Sequence, residues 1–315
     1  MKRNSVIIRL VFVAVLLGAA AWMIDPARLW QSLTPAMALA VLPAVAICLA
    51  GTAPQAVRLA VLAGGPAPSI IVSWKAFILT ATLNSFIPGR IAELVKPMFL
   101  NEHASVPLGN GFAALFLERV LDVAILFGWT VIVASMAFVH LDWKFAAGVF
   151  VGLLGFMGVI PLFECHLLRL SQFIPMERAR AFYADALAHT ASTIREGRII
   201  TAFILGVIGW MLPIVGFYVF LQLALPVPIG FEGALSLFVV TTFSYLIPVL
   251  PAGMGAFEAG AVFVLQFYHV PAEQGLALGI VLHAGNILAM LLAGGAILTH
   301  DRIGLGEFIK KIKSK

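Results

Sequence analysis

The sequence predicts an all-α, polytopic integral membrane protein with about six full spans and two inverted, re-entrant hairpins of broken helix. Three observations predict it. The 315 residues are 62% hydrophobic and 11% charged, with a mean hydropathy of +1.04, where a soluble domain carries about 25% charged residues. Several apolar runs reach the roughly 20 residues a helix needs to cross a hydrocarbon core. Two further apolar segments are interrupted by Pro and Gly, in corresponding places of the two halves.

The elements follow in order. Residues 6–24 combine a basic start (Lys2, Arg3, Arg9) with an apolar run and small residues. A signal peptide has the same design, but the spans that follow favour a retained first helix. Full spans are expected near 35–63, 111–138 and 145–163, then near 199–223 and 274–298. Basic residues gather at the N-terminus, in the connector 164–198 (Arg169, Arg178, Arg180, Arg195, Arg198) and in the tail 300–315. The positive-inside rule places all three in the cytoplasm. The connector reads either as an amphipathic surface helix or as a solvated link. The tail "KKIKSK" suits anionic headgroups, at about 1 kcal/mol per near-surface cation, and is too short to suggest nucleic acid. The whole chain, 1–315, is read as a single membrane domain.

An even number of crossings must separate the N-terminus from the connector. The stretch "LNSFIPGRIAELVKPMF" (83–99) therefore does not cross. It enters from the cytoplasm, breaks at Pro88-Gly89 and returns, within an element of about 70–101. The second broken element, about 233–268, contains "PVLPAGMG" and lies between two turns without Lys or Arg. It would enter and leave from the outside. Each element has a Thr-rich apolar helix, a Pro, a Gly, and a Glu in the next helix: Glu93 in the first, Glu258 in the second. Two broken segments in corresponding halves point to a transporter site at the midplane. Irregular backbone at that depth must be buried or line a wet cavity.

Arg90 is the informative residue there. A cation at a helix start opposes the helix dipole, and a central Arg costs about 2.5–3.5 kcal/mol on insertion scales. Local stability does not explain it, but an anion would. Helix-start N–H groups and a guanidinium fork both suit phosphate or carboxylate. An internal ion pair with Glu93 or Glu258 is the competing explanation, and a pair that exchanges for substrate is a gate. Asn84, Pro88, Gly89, Arg90, Glu93 and Lys96 in the first element, with Gly253, Gly255 and Glu258 in the second, are the candidate substrate-binding residues. Lys96 either pairs with Glu93 or reaches the interface by snorkelling. Glu258 has no basic neighbour in sequence, so it finds a buried cation or holds a proton.

"LERVLD" puts Glu118 and Asp122 on one helix face with Arg119 beside them. Together with Arg58 and His283 these are candidate gating or network residues. A helix-packing clamp explains the three as well, and a lone His such as His283 is more often a packing residue. Asn286 lies one turn beyond it. Cys48 and Cys165 are far apart and suggest neither disulfide nor metal. No nucleotide loop, metal-ligand spacing or nucleophile–base pairing is present, so no enzyme activity and no cofactor are expected.

The blocks "NSFIPGRIAELVKPMFL", "LERVLDVAILF" and "IPVLPAGMGAFEAGAVFVL" resemble the flippase-like membrane domain of lysylphosphatidylglycerol synthases. The resemblance covers nearly the whole chain. It implies movement of a polar, anionic or aminoacylated lipid between leaflets of the bacterial inner membrane, with both termini cytoplasmic. It carries Asn84, Pro88, Gly89, Arg90 and Glu93, then Glu118, Arg119 and Asp122, then Pro251, Gly253, Gly255 and Glu258. Family members often have Arg at the positions of Lys96 and His283, and Pro-Gly-Gly where this chain has Pro-Ala-Gly. The aminoacyl-transferase part is not in the sequence, so synthesis of the modified lipid is not expected. The partners implied are a membrane phospholipid or other polar lipid and a separate lipid-modifying enzyme. Two alternatives stand beside this reading: a secondary transporter of a small soluble anion, and a non-transporting scaffold for a lipid-modifying enzyme.

Overall fold

A computed structural model describes residues 25–64, 69–86, 92–136, 143–227, 229–245 and 251–302. The expected first span, Pro88, Gly89, Arg90, Pro248 and the tail beyond 302 lie outside the described residues. All regular elements among the described residues are helical.

The chain begins with α1 (Pro26–Ser32), α2 (Pro35–Ala50), α3 (Thr52–Ala63) and α4 (Ser69–Asn84). A 3-10 turn at residues 92–94 leads into α5 (Val95–Ala104). There follow α6 (Leu108–Met136), α7 (Trp143–Leu162), α8 (Glu164–Leu170) and α9 (Glu177–Arg195). The last part holds α10 (Arg198–Ala224), α11 (Phe231–Ser244), a 3-10 turn at Pro251–Gly253, α12 (Ala256–Gln266) and α13 (Ala272–His300).

Local chemistry sets many of these boundaries. Asp25 caps α1 by accepting from Ala27 N–H at 2.8 Å, with Pro26 at the first helical position; both residue types favour helix starts. Gly64 ends α3 in the left-handed region (φ +71°), a common C-terminal stop. Pro43, Pro161 and Pro213 sit inside apolar helices, where neighbouring groups re-satisfy the freed carbonyls.

Among the described residues, three helical stretches are long and apolar enough to cross a membrane: Pro35–Ala63, Arg198–Ala224 and Ala272–His300. They coincide with spans expected near 35–63, 199–223 and 274–298. α4, α11 and α12 have 16, 14 and 11 residues, short of the roughly 20 a full crossing needs.

The chain forms two compact units, and α4, α10 and α13 contribute one end to each. Of the described residues, the first holds 25–50, 82–86, 212–227, 229–245 and 251–293. Its core includes a chain of aromatic edges: Phe217 meets Phe238 at 5.4 Å and Phe257 at 6.3 Å between ring centres. Of the described residues, the second holds 51–64, 69–81, 92–136, 143–211 and 294–302. There the connector is helical and packed rather than loose. His189 of α9 donates from Nε2 to Leu62 O at 2.8 Å, and Arg198 donates to Val61 O at 3.2 Å. Both therefore satisfy carbonyls at the C-terminal end of α3, where orphan acceptors and the helix dipole favour donors and cations. Lys75 of α4 and Asp301, just past α13, pair at 2.7 Å in the same unit.

Candidate functional site

The second unit contains a network of six charges, of which Arg58, Lys96 and Glu118 are buried and the other three half-buried. α3 supplies Arg58, the turn before α5 supplies Glu93, and α5 supplies Lys96. α6 supplies Glu118, Arg119 and Asp122. On α6 the i,i+4 spacing sets Glu118 and Asp122 on one face. Arg58 bridges both: Nη2 lies 3.1 Å from Glu118 Oε1 and Nη1 2.8 Å from Asp122 Oδ1. Glu118 Oε1 also accepts from Lys96 Nζ at 2.8 Å and from Arg119 Nη2 at 3.0 Å. One carboxylate oxygen thus serves three cations.

The remaining contacts close the ring. Arg119 Nη2 lies 3.1 Å from Asp122 Oδ2, and Nη1 lies 3.7 Å from Glu93 Oε1. Lys96 Nζ is 3.1 Å from Glu93 Oε2 and 4.9 Å above the Phe77 ring, a cation–π contact. Trp210 of α10 donates to Asp122 Oδ1 at 3.1 Å. Arg58 and Glu118 are each 1% exposed, and Lys96 is 2% exposed. Lys96 is therefore held by carboxylates rather than extended to an interface. Three cations face three anions, so the network is neutral as a whole. Its strength lies in that matching, because an unpaired buried charge costs several kcal/mol.

α10 approaches the polar face of α3 through two glycines. A Cβ at Gly206 would stand 2.8 Å from Arg58 Nη1, and one at Gly209 would stand 2.6 Å from Gln55 Nε2. Gln55 and Arg58 are three apart on α3, as Gly209 and Gly206 are on α10 in the opposite sense. Small residues permit such close helix contact in membranes. Gln55, Gly206, Gly209 and Trp210 are absent from the sequence-based set. The only signal for them was the glycine spacing itself, which apolar helices show often.

The first unit carries a different site. Glu258 lies in the first turn of α12, and its Oε2 accepts from Gly255 N–H at 2.6 Å. His283 of α13 approaches with Nδ1 2.7 Å from Glu258 Oε1 and Nε2 3.1 Å from Ala252 O. The Phe257 ring stacks on the imidazole at 4.2 Å, and Tyr245 meets it edge-on at 6.0 Å. The turn between them is tightly wound: Ala252, Gly253 and Gly255 have φ of +53°, +72° and +83°. Glycine takes this region freely, whereas a strained non-glycine residue such as Ala252 costs about 1–3 kcal/mol.

The structure brings Arg58, Glu93, Lys96, Glu118, Arg119 and Asp122 together, and separately Gly253, Gly255, Glu258 and His283. Asn84 ends α4 with its Oδ1 buried and without a hydrogen-bond partner among the described residues. Asn286 donates back to Leu282 O within α13. The partner of Glu258 that the sequence left open is His283. Cys48 is buried in α2, and Cys165 is exposed on α8.

Comparison with known proteins adds the family. The family model described as the lysylphosphatidylglycerol synthase TM region matches residues 6–294. Neither curated proteins nor solved structures gave a match. The long apolar helices and the family together make this a multi-pass integral membrane protein, of a family associated with membrane lipid modification or transport. The chain belongs to the family of the lysylphosphatidylglycerol synthase transmembrane region.

Proposed function

We propose that this protein moves a polar lipid, anionic or aminoacylated, between the leaflets of a bacterial inner membrane, and does no covalent chemistry itself. One observation carries the reading: a six-charge network with a buried core lies on the helices of a membrane protein from a lipid-synthase family. Intramembrane ionisable groups are expensive and mark function by default. The network cations are matched one for one by carboxylates. The reading therefore gives the headgroup's negative charge to Arg90 and the helix start beside it, with Gly253, Gly255 and Glu258 as further substrate-binding residues.

The topology proposed with it has about six crossings, including α6 and α7, and both termini in the cytoplasm. α4 with α5, and α11 with α12, are two re-entrant hairpins of opposite sense; their short lengths support this. The connector 164–198 lies along the cytoplasmic surface, and the basic tail meets anionic headgroups. The charge balance of the network favours a second reading, a scaffold for a separate lipid-modifying enzyme, in which the six charges only clamp helices.

Native mass spectrometry of co-purifying lipids tests the first reading. One anionic lipid class should be enriched on the wild type and lost from Arg90→Ala. Identical bulk lipids on both proteins would remove the headgroup site and favour the scaffold.

A further inference from the structure

His283 cannot satisfy its two contacts as a neutral ring beside an ionised Glu258. Nδ1 faces Glu258 Oε1 at 2.7 Å, and Nε2 faces Ala252 O at 3.1 Å. Both partners are acceptors. A neutral imidazole has one donor nitrogen and one acceptor nitrogen, so one contact would set a lone pair against an oxygen. Two protons close both contacts. One sits on Nε2 and is donated to Ala252. The other lies between Nδ1 and Oε1, as imidazolium with carboxylate or as imidazole with carboxylic acid. Both forms are neutral overall, and both keep Gly255 N–H on Oε2. Removing one proton leaves a net negative charge and two acceptors facing each other.

Among the described residues, the surroundings provide no fixed charge to take over. Arg28 is the only Lys or Arg among the described residues of this unit, and it is 73% exposed and paired with Asp25. The titratable groups around the pair are the Tyr245 phenol at the end of α11 and, beside that, the Cys48 thiol of α2; groups of both types are ordinarily neutral at pH 7. α10 contributes the apolar Phe217, against Phe257. The stacked Phe257 face favours the cationic ring. Glu258 is 16% exposed in its side chain, so the pair is not sealed within the chain. The same two side chains hold Ala252 O and Gly255 N–H, on either side of Gly253 and Met254. Losing the proton costs one of the two His283 contacts, and with it one tie between α13 and the turn.

We propose that Glu258 and His283 form a binding site for one exchangeable proton, that this proton clamps the turn at residues 251–255 onto α13, and that it is the ion coupled to lipid movement. The coupling rests on the transport reading above; the proton site does not.

Solid-state NMR of ¹⁵N-histidine protein in phosphatidylglycerol–phosphatidylcholine bilayers tests the site, with His283→Gln assigning the signal. Both ring nitrogens should carry or share a proton, and one proton should leave in a single step as pH rises. Exchange of the Gly255 amide, corrected for its intrinsic pH dependence, should accelerate about tenfold in the same step, and should lose that step in Glu258→Gln. A ring nitrogen that stays bare from about pH 5 to 9, or a titration that leaves Gly255 exchange unchanged, overturns the proposal. Coupling is read from tagged phosphatidylglycerol flux in proteoliposomes. An imposed pH gradient should change the wild-type rate at least about threefold and leave the rate of His283→Gln unresponsive. Wild-type flux indifferent to the gradient overturns the coupling. No wild-type flux overturns the transport reading and the coupling with it, while the ring nitrogens still decide the proton site.

Discussion

The two units solve the problem of charge inside a membrane protein in opposite ways. One packs Arg58, Lys96 and Arg119 against Glu93, Glu118 and Asp122 in a network that is neutral because fixed charges cancel. The other has a single Glu258–His283 pair at 2.7 Å, which the proton proposed above would hold neutral. The first arrangement is cross-linked: every charge has at least two partners of opposite sign. On the proposed reading, the network is the fixed frame and the Glu258–His283 pair the element that switches.

The largest expected effect breaks the network. Arg58→Met leaves Glu118 and Asp122 short of a buried cation, and removing one partner of a buried pair costs about 3–5 kcal/mol. Thermal unfolding in detergent should show a lower Tm and a falling monodisperse yield. An unchanged Tm would mean the network is not what holds α3 to α6.

Packing in the other unit gives the next effect. A Cβ at Gly216 would stand 2.7 Å from the Ala44 backbone oxygen and 2.8 Å from Cys48 Sγ. Backbone cannot rotate away, so Gly216→Val should destabilise by about 1–3 kcal/mol, read from the same melts. Smaller still is Arg119→Gln. Its side chain is 34% exposed and each of its acid partners keeps another cation, so the stability cost should be smaller than that of Arg58→Met. A cost as large as that of Arg58→Met would show that exposure does not grade the network.

The smallest effect concerns pH. Burial holds the His189 imidazole below the ordinary histidine range. The unfolded chain then binds the proton more readily, so stability is full above about pH 6.5 and declines as pH falls below it. Tm should drop slightly toward acid pH in the wild type, and His189→Gln should remove that part of the slope. A steeper slope in the variant would contradict the assignment.

Much of this was legible in the chain. Apolar run lengths located the helices Pro35–Ala63, Arg198–Ala224 and Ala272–His300, because hydropathy reports directly on the solvent a helix needs. Local spacing set Glu118 beside Asp122, and Lys96 one turn from Glu93. Long-range partners were not legible. Arg58 meets Asp122 across 64 positions, and Glu258 meets His283 across 25. Nothing in local pattern says which helix faces which. Snorkelling and burial were equally open to Lys96 until α6 supplied Glu118. The Gly206–Gly209 approach was hidden because glycine is common in membrane helices.

The most direct test of the central claim is the movement of tagged phosphatidylglycerol across proteoliposomes containing the full chain, beside protein-free vesicles and Arg90→Ala. The account predicts rapid movement with the wild type, slow movement in vesicles alone, and the slow rate again with folded Arg90→Ala. Wild-type movement no faster than in empty vesicles would contradict it, and would leave the charge network as the clamp of a membrane scaffold.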